Sequence, residues 1–88
     1  MFHVYVLYSN SRNVYYIGYT GDDLSERLRK HNSNHRGFTG KSEDWKIVYT
    51  EAYPTKKEAS ERERKIKSWK SRKKVQVLVN SALTHTDL

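Results

Sequence analysis

Eighty-eight residues make one domain with room for a single thin core. The absence of cysteine excludes a disulfide framework, a thiolate zinc site and a Cys nucleophile, and suits a reducing, cytoplasmic setting. The net charge of +7 sits in one segment: residues 55–74 hold ten Lys/Arg and three Glu, and the rest of the chain sums to zero.

Such one-sided charge is either the footprint of a polyanion partner or a solvated helix face, and charge alone does not choose. The opening MFHVYVLY is apolar but lacks a basic n-region and a small-residue cleavage site, so no leader is expected. No apolar run approaches the roughly 18 residues a membrane span needs, so no membrane partner is expected.

Residues 2–8 and 14–19 are β-favouring aromatic runs separated by the polar SNSRN, which predicts an antiparallel hairpin. Gly21-Asp22-Asp23 ends the second strand, and either Asp can cap a helix over 23–32. On that helix Arg27 and His31, one turn apart, share the arc of Leu24 and Leu28 that should face the sheet. They are either an Arg at the edge of the stripe with a satisfied His, or members of a site. Residues 33–44 read as a loop, in which Lys41, His35 and Arg36 could meet phosphate.

WKIVYTEAY at 45–53 predicts a third strand, ended by Pro54. Thr55 with Glu58 forms a capping pattern for a helix over about 56–70. Its stripe is Ala59, Ile66 and Trp69, and Glu63 borders it. Residues 74–79 fit a helix or a strand equally by periodicity. Residues 81–88 read as a frayed tail behind a domain spanning 1–80. The fold class is α+β: a small three-stranded antiparallel sheet flanked by helices.

Tyr5 and Tyr16 lie on these strands, and Gly18 shares a face with Tyr16. A glycine within a strand commonly lets something approach the backbone. V-Y-V at 4–6, followed by Y-I-G at 16–18, resembles the two halves of the GIY-YIG nuclease motif. Arg27 and His31 look like that family's Arg and His. Glu63, followed by Ile66-Lys67, looks like its metal-binding Glu, and Asn80 is similar to an Asn some members carry behind that Glu. The resemblance covers residues 2–80 and is greatest to the small single-domain bacterial branch. Where the family name has its first Gly, this chain has His3.

The resemblance implies a GIY-YIG-like fold and a divalent-metal-dependent endonuclease that hydrolyses phosphodiester bonds of nucleic acid, with DNA the expected substrate. It implies one Mg²⁺ (or Mn²⁺) on Glu63, Tyr5 as the base acting on water, and 5′-phosphate and 3′-hydroxyl products. A single carboxylate with waters and phosphate oxygens is a usual Mg²⁺ shell, and Arg27 can fork onto two phosphate oxygens. A free phenol ionises near pH ~10, so Tyr5 needs help, with His31 and Tyr16 the candidates. Gly18 is expected to keep the second strand open beneath the substrate, and Asn80 to stand in a supporting position. Lys41, Arg62, Lys67, Lys70, Arg72 and Lys73 are expected to contact backbone phosphates, which gives affinity without sequence information. With no second module to read bases, the expected preference is for structure: branches, nicks or single strands. The alternative is a non-catalytic nucleic-acid-binding module that keeps the fold.

Overall fold

Strand β1 (Phe2–Ser9) buries both its faces: Val4 and Val6 on one, Tyr5 and Leu7 on the other. A strand with no solvent face belongs at the centre of a sheet covered on both sides. In the computed structural model, which describes residues 1–33 and 37–86 (side chains of 82–86 apart), that is its place. β2 (Val14–Thr20) and β3 (Trp45–Tyr53) flank it in the order β2-β1-β3, both antiparallel. The register sets Tyr5 opposite Gly18 and Leu7 opposite Tyr16. A bulge between Val6 and Leu7 interrupts the pairing with β3.

The hairpin turn closes on Asn13, whose φ of 56° is a left-handed conformation that Asn tolerates. Asp44 ties this turn to the start of β3, accepting from the Ser9 hydroxyl at 2.6 Å and the Ser11 amide at 2.8 Å. Those bonds hold its carboxyl below the usual range.

Helix α1 (Leu24–His31) starts on Asp23, whose carboxylate accepts from the Ser25 and Glu26 amides. Leu24 and Leu28 seat it on the Tyr5/Leu7 face. Within the segment read as a loop, Phe38–Lys41 forms a short 3-10 helix. The Trp45 indole donates to the Thr39 carbonyl at 2.8 Å and anchors it. His35 and Arg36 lie outside the described residues.

The other face is covered by α2 (Lys56–Ser68), capped by Thr55, and α3 (Arg72–Thr86). Ala59, Ile66, Val75 and Val79 meet Val4 and Val6 there. Lys70, with φ 48°, turns the chain between the two helices. The segment that fitted helix or strand is helical because Val75 and Val79, one turn apart, both come down on the sheet. The helix runs on to Thr86 and takes in residues read as a tail. Among the described residues, no helix is long and apolar enough to cross a membrane.

Candidate active site

The centre of the site is the cross-strand pair Tyr5–Gly18. A Cβ on Gly18 would lie 2.5 Å from Tyr5 Oη and 2.7 Å from its Cζ. The missing side chain therefore makes room for the phenol ring. The sequence reading had the substrate lie over this glycine, but Tyr5 itself fills that space, because its long side chain crosses to the neighbouring strand. Gly18→Ala is expected to displace the Tyr5 hydroxyl and cost about 1–3 kcal/mol of stability, the usual range for overpacking. Urea unfolding measures the cost, and a wild-type midpoint would contradict it.

Tyr5 is 1% exposed, and its hydroxyl meets two side chains from α1. Arg27 Nε–H donates to Tyr5 Oη at 3.2 Å, and His31 Nε2 lies 2.7 Å from the same oxygen. The one-turn spacing of Arg27 and His31, with Leu24 and Leu28 seating the helix, aims both at one atom. His31 is 6% exposed, and its Nδ1 lies 2.8 Å from Thr39 Oγ1. Since Arg27 can only donate, the phenol's own proton is available to His31 Nε2 when Nδ1 carries the ring proton. A chain Thr39–His31–Tyr5–Arg27 results.

Burial pushes the Tyr5 phenol above its ordinary value. The hydrogen bond and charge of Arg27 act against that rise, whereas Tyr16 and Glu63 add to it. The sequence reading looked to Tyr16 for help in lowering this value. The structure assigns the lowering to Arg27, because a neighbouring phenol becomes a like charge when it ionises. The same hydrogen bond raises Arg27 further, so its guanidinium stays charged.

Tyr5, Tyr16, Gly18, Arg27 and Glu63 line one cleft of about 510 Å³. Glu63 reaches it from the flank of α2, beside the apolar stripe. His31 stands behind Tyr5 and lines a neighbouring cleft that shares Tyr16 and Arg27. Glu63 Oε1 lies 3.4 Å from Lys67 Nζ, and that ammonium is 5.9 Å from the Tyr16 ring centre. Lys56, missed in the sequence, also lines the cleft. Its position seven residues before Glu63, on the same helix face, was the available signal. Thr39, the partner of His31, carried no such signal, since a loop has no periodicity. Asn80 is exposed on α3 and is not among the residues lining the cleft.

The donor set fits a divalent ion held through one carboxylate. Among the described residues no group of three His, Cys, Asp or Glu could hold a metal. Both His31 nitrogens already face protein partners. Glu63 and Asp22 are the carboxylates that line the open, polar cleft, and such hard oxygen donors suit Mg²⁺ because Mg²⁺ keeps most of its waters.

Two of the cations expected on phosphate also have partners within the protein. Arg62 donates through Nε and Nη2 to Glu51 at 2.9 and 3.0 Å, and lies over the Trp69 ring. Arg72 donates to the backbone and side-chain oxygens of Asn13 and covers Tyr15, so it staples α3 to the hairpin turn. The flank of α2 meets a carboxylate on β3 that the sequence reading left unused. Tyr49 and Tyr53 donate to that same Glu51, two residues either side of it on the strand. Lys41, Lys70 and Lys73 are exposed. Arg62→Ala is expected to cost about 1.5–3 kcal/mol of stability and to leave the salt dependence of nucleic-acid binding unchanged. A shallower salt slope in a binding titration would return Arg62 to the phosphate-contacting set.

A family model described as the GIY-YIG catalytic domain matches residues 1–76. A UPF0213 protein of Bacillus pumilus (strain SAFR-032) is 38% identical over 60 residues, covering 67% of this chain. The match spans 60% of that protein's length. No solved structure matches the chain. The match over residues 1–76 takes in both β1 and β2, α1, and Glu63 of α2. The chain belongs to the GIY-YIG catalytic domain family, whose members are in general nucleases that act on nucleic acid.

Proposed function

We propose that this chain is a divalent-metal-dependent endonuclease that hydrolyses phosphodiester bonds, with DNA the substrate to test first and structure rather than sequence the basis of its preference. The observation that carries the reading is the single cleft shared by the Tyr5 phenol, the Arg27 guanidinium and the Glu63 carboxylate. A lone catalytic-looking side chain is usually structural, but three roles in one concavity match what the chemistry requires.

The scissile phosphate enters beside Arg27. Nε of that residue is engaged with Tyr5, which leaves the terminal N–H groups to fork onto two phosphate oxygens. Tyr5 takes a proton from the attacking water once its own proton has left by way of His31 Nε2 to bulk water, and Arg27 holds the resulting phenolate. Thr39 keeps the imidazole oriented for that transfer. Glu63 is the residue that would hold a divalent ion, which would supply positive charge to the phosphate under attack. Lys67, next to Glu63, and the exposed Lys41, Lys70 and Lys73 follow the backbone without reading bases. In-line attack leaves 5′-phosphate and 3′-hydroxyl ends. The lack of cysteine suits a cytoplasmic protein.

Labelled nicked, branched, single-stranded and uniform duplex DNA, incubated with Mg²⁺ or with EDTA, tests the reading. Magnesium-dependent cutting of at least one structured substrate is expected. Binding without cutting on every substrate would favour a non-catalytic nucleic-acid-binding module.

A further inference from the structure

The second cleft, about 430 Å³, falls in the range of small-ligand pockets, roughly 300–1,000 Å³. It shares the Tyr16 and Arg27 walls with the cleft that holds Glu63. Its other walls include Lys30, Ser33, Phe38 and Thr39. Phe38 is 49% exposed, one of few large apolar side chains left open among the described residues. It is nonetheless held in place. Arg12 lies 4.7 Å from the ring centre and donates through Nη1 to the Phe38 carbonyl at 3.2 Å. Trp45 packs at 6.2 Å. The Phe38 ring lies nearly parallel to Tyr16, with centroids 6.3 Å apart and planes at 21°.

Two braced aromatic rings beside two cations make a surface for a flat π system attached to a phosphate. Arg27 and Lys30 stand at i and i+3 on α1, neighbours on one side of the helix, and both line this cleft. We propose that this cleft is a subsite for one unstacked base adjoining the scissile phosphate, with Phe38 and Tyr16 as the stacking platform. The inference rests on the nuclease reading above and names its substrate class. A base inside a duplex already has both faces covered, so only a nucleotide out of the stack can use the platform. The substrate is therefore a strand with unpaired nucleotides, such as a single strand, flap or gap. Stacking favours no particular base, since each has a π face.

The experiment compares two fluorescent strands of equal length and charge, oligo(dT) and its abasic counterpart, by anisotropy in EDTA. The parent is expected to bind the base-bearing strand about tenfold more tightly. Phe38→Ala, and Phe38→Leu, which keeps apolar bulk without the π face, are expected to remove most of the preference for oligo(dT), Tyr16 keeping the remainder, and to leave the abasic affinity unchanged. Phe38→Tyr is expected to retain the difference. Thermal unfolding by tryptophan fluorescence establishes that each variant is folded. Equal affinities in the parent, or a difference that survives undiminished in folded Phe38→Leu, overturns the proposal. A Phe38-dependent difference in a protein that cuts nothing upholds the subsite and removes the nuclease reading. Magnesium-dependent cutting with no base dependence removes the subsite alone.

Discussion

Tyr5→Phe is expected to lower the single-turnover cleavage rate by about 10²–10⁴-fold, the usual contribution of a positioned base. The substitution removes one atom from a buried site and leaves His31 Nε2 and Arg27 Nε facing a ring edge. Stability should fall by no more than about 1–3 kcal/mol. The pH profile carries the finer test. Burial holds the phenol above its ordinary value, so over the neutral range it is almost wholly protonated. Each pH unit then raises the phenolate fraction tenfold. The logarithm of the parent's rate should climb with a slope near +1 from about pH 6 to 9, with no plateau below the ordinary phenol value near ~10. The residual rate of Tyr5→Phe should lack that slope. A parent rate that levels off near neutrality would assign the base to another group.

Glu63→Gln is expected to abolish Mn²⁺ binding measured by water-proton relaxation, and to reduce cleavage by about 10³-fold or more. Affinity for nucleic acid should hold or rise. The change removes a negative charge from the cleft and frees Lys67, now 3.4 Å from Glu63, to meet phosphate. These opposite directions for cutting and binding distinguish loss of the metal site from loss of the fold. Parent-like cleavage by Glu63→Gln would remove the carboxylate from the mechanism.

Most of the fold was legible in the sequence because each element carries its own local signal. β3 occupies 45–53 as read, bounded by the loop before Trp45 and by Pro54 after it. Asp23 and Thr55 cap their helices as their side-chain chemistry requires. The loop and the last segment were less legible, since their conformations are set by tertiary contacts: the Trp45 indole on Thr39, and Val75 and Val79 on the sheet.

The site was legible as a set of residue types but not as an arrangement. One-turn spacing brought Arg27 and His31 together, yet it could not say that both would meet the Tyr5 hydroxyl, or that Gly18 would yield its space to that ring. Strand parity ties Tyr5 to one face but says nothing of which helix comes to lie over it. A cation looks alike in sequence whether it faces water or a carboxylate on a distant strand, and Arg62 faces Glu51.

In the proposed mechanism one divalent ion on Glu63 and one phosphate on Arg27 would meet beside the Tyr5 hydroxyl. Crystals of Tyr5→Phe with an uncut oligonucleotide and Mn²⁺ test it most directly, through anomalous diffraction at the manganese edge. A single peak against the Glu63 carboxylate, touching a phosphate that Arg27 also holds, is the expected result. A peak elsewhere, a second peak in the cleft, or a phosphate bound away from Arg27 would contradict it.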